Sequence, residues 1–210
     1  LQDNSFLKHN PEYGFSYVLP FDYQPEAKCP RFDLFLKEVT RNDTEMAQTL
    51  VEFVGFSISG LPNSWADKCL ILVGTGSNGK SVFTDTVTSI IGEQNCSALN
   101  MLDLAHETSR SGLINKLANV CEETPTKSLL DSSAFKNLVA GGKTRVRRLY
   151  KDSLDMKCTT KFIFACNELP LSTDTSYGIQ RRLLICRFAE RFENGTKDNM
   201  LREKLEAERT

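Results

Sequence analysis

Apolar positions fall into two registers along this chain. Phe32, Phe35, Leu36 and Val39 recur at helical spacing, and Met46, Leu50, Val51, Phe53 and Val54 do so again after Asn42-Asp43. A period near 3.6 predicts two amphipathic helices, the first entered through Pro30 and the second capped by Asn42 or Asp43. Gly60 and Pro62 close this region. Further on, apolar residues come as short continuous runs, at 69–73, 117–121, 161–166 and 183–188. Runs of this length predict strands buried on both faces. Between the first two runs, Val82, Phe83, Val87, Ile90 and Ile91 predict a helix over 80–91. Asp131 predicts the cap of another helix through Leu138, closed by Gly141-Gly142. Residues 144–150 and 154–158 read as two strands of a hairpin around Lys151-Asp152-Ser153. The segment 97–113, with Leu99, Met101, Leu102 and Leu104, fits neither period. Residues 1–28 are polar and rich in turn formers, which predicts an extended lead-in with one short strand at 15–19.

Strands alternating with helices predict an α/β fold built on a mostly parallel sheet, with its ligand at the carboxyl ends of the strands. The expected organisation is a lead-in over 1–29, a small helical domain over 30–62 and a nucleotide-binding core over 63–210.

Composition narrows the picture. The chain has 210 residues, 40% hydrophobic and 25% charged, with a formal net charge of −1. That balance fits one sizeable domain and excludes a globally basic nucleic-acid binder; any such binding must use a local patch. No apolar run approaches the ~20 residues of a membrane span, so no membrane partner is expected. Leu1 is not a natural start, so a longer parent protein is expected. The seven cysteines include no C-x-x-C pair. An odd number inside apolar runs predicts reduced, buried thiols in the cytoplasm rather than disulfides or a zinc site. His9 and His106 lack the spacing of metal ligands.

The chemistry concentrates at 70–83, where Leu70-Ile71-Leu72-Val73 runs into Gly74-Thr75-Gly76-Ser77-Asn78-Gly79-Lys80-Ser81. This is a full G-x-x-x-x-G-K-[ST] motif between a predicted strand and a predicted helix. Gly74, Gly76 and Gly79 allow backbone N–H groups to converge on phosphate oxygens. The helix start adds its dipole, Lys80 reaches the β- and γ-phosphates, and the Ser81 hydroxyl suits Mg²⁺. ATP and Mg²⁺ are the expected ligands.

Three further groups fit that site. The run 117–121 ends in Glu122-Glu123, where one carboxylate, assigned as Glu122, serves the metal and the other, Glu123, polarises water. A solvated pair at a strand end is the competing reading. The run 161–166 ends in Asn167, placed to sense a γ-phosphate or to begin a turn before Pro170. Arg181-Arg182 precede the last strand, and either could reach a γ-phosphate in the same subunit or across an interface. The hairpin is basic, with Lys143, Arg145, Arg147, Arg148 and Lys151. Period two puts Arg145 and Arg147 on one face and Val146 and Arg148 on the other. That face suits a phosphate backbone, or equally an edge strand protected by charge.

Taken in order, the 74–81 loop, Glu122-Glu123, Gly141-Gly142-Lys143-Thr144-Arg145, Leu149-Tyr150-Lys151, Asn167 and Arg181-Arg182 resemble the superfamily 3 helicases, in the phage, plasmid and poxvirus primase–helicase branch. The lead-in with Pro20-Phe21-Asp22-Tyr23 and Cys29-Pro30-Arg31-Phe32 resembles the same branch, so the likeness covers nearly the whole chain. The resemblance implies an AAA+-like P-loop NTPase core and a ring-forming, hexameric, ATP-driven DNA helicase of a virus, phage or mobile element, working in the host cytoplasm, with a primase domain upstream. It implies that Lys80 and Ser81 bind ATP–Mg²⁺, that Glu122 and Glu123 are the acidic pair, that Asn167 is the sensor, and that Arg181 or Arg182 acts on a neighbour's ATP. The Lys143, Arg145, Arg147 and Lys151 hairpin would grip single-stranded DNA. The chain departs from the family at Gly141-Gly142, where Gly-Asp is usual, and ends at Thr210, where relatives continue. Two other readings stay open: a P-loop small-molecule kinase, which leaves the basic hairpin unused, and a nucleotide-switched DNA-binding or assembly module with little turnover.

Overall fold

The computed structural model of the chain describes residues 7–8, 10–124, 133–170, 177–193 and 198–209. Its strands are β1 (Cys69–Val73), β2 (Cys96–Ser97), β3 (Ala118–Cys121), β4 (Lys143–Arg147), β5 (Ser153–Lys157), β6 (Lys161–Cys166) and β7 (Leu183–Arg187). Five of them form one parallel sheet in the order β2-β3-β6-β1-β7, and β4 and β5 pair antiparallel as a separate hairpin. The helices are α1 (Pro30–Thr40), α2 (Thr44–Ile58), α3 (Lys80–Ile91), α4 (Glu107–Arg110), α5 (Ser133–Val139), α6 (Tyr177–Gln180) and α7 (Leu201–Ala207).

The sheet is covered on both faces, which is why β1 and β6 are buried throughout rather than alternating. Successive side chains still take opposite sides. Leu70, Leu72, Ile163 and Ala165 pack with Phe35 and Leu36 of α1, Leu50 and Phe53 of α2, and Phe83 and Val87 of α3. Cys69, Ile71, Val73, Phe162 and Phe164 face Phe135 and Leu138 of α5, with Leu104 and Leu113 from the segment after β2. Thus α1 and α2 share the core of the sheet instead of holding one of their own.

Local chemistry sets the element ends. Asp43 caps α2 by accepting the Met46 N–H at 3.0 Å. Arg41 and Asn42 link α1 to α2 in left-handed conformations, at φ 54 and 63. Gly141 ends α5 at φ 71, where a Cβ would be strained. Asp131, the expected cap of α5, lies outside the described residues, as does His9.

Some expectations are corrected. Residues 15–19 form no strand. They pair with no strand among the described residues; Tyr17 and Leu19 pack on the core and the Val18 carbonyl accepts from Asn95 at 2.8 Å. The segment 97–113, without a clear period, folds into β2, two 3₁₀ turns and α4, and its apolar residues Met101, Leu104 and Leu113 are buried. Arg148 does not oppose Arg147 on a strand: β4 ends at Arg147, and Arg148 stands exposed in the turn. The cysteines are all unbonded; five are buried, Cys96 is half-buried and Cys29 is exposed.

Candidate nucleotide site and basic hairpin

The loop 74–79 leaves the carboxyl end of β1, between β6 and β7 in the sheet, and enters α3. Gly76, Ser77 and Gly79 take positive φ, at 106, 47 and 88, so their N–H groups turn inward as an anion cradle requires. Gly74 allows a close approach: a Cβ there would lie 2.0 Å from the Asn78 amide nitrogen and 2.6 Å from the Phe188 carbonyl oxygen. Asn78 is buried, donates to that carbonyl at 3.3 Å and accepts from Lys80 at 3.2 Å. The Lys80 ammonium also donates to the Gly74 carbonyl at 2.5 Å. Burial lowers its pKa, and the Cys166 thiol beside it works the other way. A desolvated ammonium resting on loop carbonyls is ready to exchange them for phosphate oxygens.

Sheet register brings the remaining groups to the same end. Val73 pairs with Cys166, so Asn167 follows directly beside Gly74, whose N–H donates to the Cys166 carbonyl at 3.1 Å. Cys121 pairs with Phe164, which sets Glu122 and Glu123 one strand further out. Lys80, Ser81, Glu122, Glu123 and Asn167 line one cavity of about 1100 Å³. Apolar side chains also line it, from Leu34, Phe35, Val82, Phe192 and Leu201, together with Arg31, Glu38 and Asp198. The Phe192 N–H donates to the Ser77 carbonyl at 2.8 Å, which seats the chain after β7 on the phosphate loop.

The structure adds groups that sequence reading missed. Asp85 lies one turn beyond Ser81 on α3 and pairs with Arg202 of α7 at 2.6 Å. It also meets Glu122: burial raises the Glu122 pKa first, then the Asp85 hydrogen bond and charge, while Arg202 and Thr84 oppose the rise. The i, i+4 spacing of Ser81 and Asp85 was the available signal. Ser81 and the two glutamates supply hard oxygen donors, which fit Mg²⁺ held by one or two carboxylates plus phosphates.

Arg181 and Arg182 are not brought to this cavity. The Arg182 carbonyl accepts from the Cys69 N–H at 2.8 Å, at the amino end of β1. One five-residue strand, about 15 Å, separates them from the loop. Arg181 is exposed and pairs with Asp67 at 3.6 Å; Arg182 is half-buried and donates to the Gly178 carbonyl of its own turn.

On the hairpin, Lys143, Arg145 and Arg147 are exposed while Thr144 and Val146 are buried, so the basic residues share the outer face. Asp155 opposes Arg145 across the strands at 3.7 Å. Lys151 sits in the turn beside Tyr150, which is fully exposed at a left-handed φ of 60.

A P-loop α/β fold of this kind is shared with solved helicase structures. The chain belongs to the family described as a family of unknown function, DUF5906, which matches residues 72–182. A second family, described as D5 N terminal like, matches residues 1–41. The A form apo structure of the NrS-1 C-terminal region is 15% identical with a TM-score of 0.66, over 90% of this chain and 46% of that one. A further apo structure of that region is 16% identical with a TM-score of 0.67, over 90% and 47%. JCV helicase bound to a thiazolopyridine acetamide compound is 15% identical with a TM-score of 0.50, over 87% and 50%. The chain therefore spans about half the length of the solved chains it matches. Among the described residues no helix is long and apolar enough to cross a membrane.

Proposed function

We propose that this chain is the ATP-hydrolysing motor of a superfamily 3 DNA helicase acting in replication of a virus, phage or mobile element. The supporting observation is the convergence of a complete phosphate loop, an acidic pair and a polar strand tip on one cavity, in a fold that also carries a basic hairpin. The loop N–H groups and Lys80 bind the triphosphate. The apolar wall of Leu34, Phe35, Phe192 and Leu201 takes the base. Ser81 and Glu122 would hold Mg²⁺, which supplies neutralisation of phosphate charge. Glu123 orients and deprotonates the attacking water, and Asn167 hydrogen-bonds beside the γ-phosphate. Arg181, exposed at the far end of the sheet, acts on the nucleotide of a neighbouring copy; a ring, hexameric by resemblance, gives each site its finger. The hairpin holds single-stranded DNA through Lys143, Arg145, Arg147 and Lys151, with Tyr150 stacking on a base. A primase domain upstream and a cytoplasmic setting complete the reading.

Steady-state ATP hydrolysis tests it, with and without single-stranded DNA, across protein concentrations, for the wild-type chain and Lys80→Ala. Turnover that rises with DNA and with concentration, and is lost in the variant, supports the shared-site motor. Turnover indifferent to both sinks it in favour of a kinase or a switched module.

A further inference from the structure

Arg110 is buried at 7% exposure, and among the described residues it meets carbonyls rather than a carboxylate. Its Nε donates to the Arg145 carbonyl at 3.1 Å and its Nη1 to the Leu104 carbonyl at 3.2 Å. Withdrawing a guanidinium from water without a counter-charge is costly. What it provides is a planar fork that fixes two acceptors in one geometry. Here the acceptors lie on different elements. Arg145 is the middle residue of β4, and Leu104 sits in a 3₁₀ turn packed against the sheet.

The stretch that carries Arg110 is tied at its other end to β3. Asn119 is fully buried within β3 and accepts from the Leu99 N–H at 2.8 Å and from the Ser97 hydroxyl at 2.9 Å. Its amide donates back to the Leu99 carbonyl at 2.8 Å. Three residues later β3 has given way to Glu122. Hydrogen bonds thus tie the 97–110 segment at one end to Asn119, three residues before Glu122, and at the other to the middle of the hairpin. Asn137 also anchors β4, donating to the Lys143 carbonyl at 2.7 Å at the strand's first residue, whereas Arg110 holds its middle residue.

We propose that Arg110 is the positioning residue that fixes the basic face of the hairpin on the 97–110 segment and so couples it to the acidic end of β3. The coupling half of this rests on the DNA-grip reading above. Arg110 touches neither nucleotide nor DNA; it acts through the Arg145 carbonyl.

The test compares the wild-type chain with Arg110→Gln and Arg110→Lys by two measurements. In amide hydrogen exchange, both variants speed exchange across β4 and β5 by about ten-fold, while β1 keeps its rates. In ATP hydrolysis, the concentration of an oligo-dT strand needed for half-maximal stimulation rises by about ten-fold in both, with KM for ATP unchanged. Lysine keeps the charge but cannot fork between two carbonyls, so its failure separates geometry from charge. Wild-type behaviour of Arg110→Lys overturns the proposal, as does faster exchange that includes β1, or an unchanged hairpin. A wild-type chain that hydrolyses ATP without responding to DNA overturns the DNA-grip reading and the coupling with it, and hydrogen exchange then still decides the anchor.

Discussion

The Glu208 carboxylate caps α1 from 177 positions away, accepting the Arg31 N–H at 2.9 Å. Phe32 donates to the same carboxylate at 3.0 Å, whereas the local cap position, Cys29, makes no side-chain cap bond. Next to it, Arg209 donates to the Ser89 hydroxyl at 2.7 Å, and Arg202 pairs with Asp85, both on α3. The α7 segment therefore clasps α1 to α3 beside the cavity they line.

A clasp made this way carries measurable free energy. Glu208→Ala leaves two amides at the start of α1 without an acceptor, and a lost cap costs about 1 kcal/mol. The expected result is a urea midpoint lowered accordingly with an unchanged m-value, since the surface exposed on unfolding is the same. Because Leu201 and Phe35 line the cavity from the clasped elements, nucleotide affinity falls too. Titration with a fluorescent ATP analogue reads that second effect, and unaltered values in both measurements would remove the clasp from the account.

Asp85 adds to the raised pKa of Glu122. Glu122 has its pKa raised by burial first and by Asp85 next. A raised carboxyl stays protonated to a higher pH, so on acidification Mg²⁺-supported nucleotide binding is lost earlier than an ordinary glutamate would allow. Asp85→Asn removes the like charge and frees Arg202 to face Glu122. The acid limb of the binding profile is then expected to move to lower pH. Movement to higher pH would show that Asp85 stabilises the charged form instead.

The core of this fold was legible because burial writes itself into sequence. The runs at 69–73, 161–166 and 183–188 correspond to β1, β6 and β7, the last ending one residue sooner, and the helix over 80–91 is α3. The hairpin was legible from the basic alternation of its first strand and the turn residues that follow it. The false strand at 15–19 had the alternation of Tyr17 and Leu19, but those side chains pack on the core without strand pairing, which sequence cannot show. The 97–113 segment was unreadable because its order comes from distant side chains such as Asn119 and Arg110, not from a period. In the site, Lys80, Glu122, Glu123 and Asn167 share one cavity as strand-end positions. Arg181 and Arg182 precede a parallel strand and so lie at its opposite end, away from that cavity. Asp85 and Arg202 escaped notice because neither belongs to a motif of its own.

Tyr150 offers a test of the hairpin that is separable from folding. The ring is fully exposed, so Tyr150→Ala removes no packing and the thermal midpoint is expected to stay put. Base–aromatic stacking contributes about 1–3 kcal/mol per base, so affinity for single-stranded DNA falls by about five-fold or more. The loss is insensitive to salt, unlike that of Arg147→Gln, which also lowers the slope of affinity against salt concentration. Fluorescence anisotropy at two salt concentrations distinguishes the two, and an equal salt dependence of both losses would place Tyr150 outside the contact.

Lys161 ties the helical unit to the sheet and carries a pH signature. It opens β6, is buried at 1% exposure, and its ammonium donates to the Leu61 carbonyl at 2.5 Å and the Thr159 carbonyl at 2.9 Å. The same ammonium lies 4.9 Å from the centre of the Phe56 ring. Burial lowers its pKa to about 8, against a smaller pull upward from Cys158. In the unfolded chain the lysine titrates near its ordinary value of 10.5. Between those limits the folded state holds one proton fewer than the unfolded state, and stability rises with pH wherever the unfolded state binds more protons. The free energy of unfolding of the wild type, measured against Lys161→Met, is therefore expected to be flat below pH 8 and to grow in the wild type's favour from pH 8 toward 10.5. Methionine keeps the stem and loses the ammonium, so the lost carbonyl contacts enter as a constant offset and the slope isolates the titration. A difference that shrinks over that window would mean the carbonyls and the ring hold the ammonium charged, and that burial is not what sets its pKa.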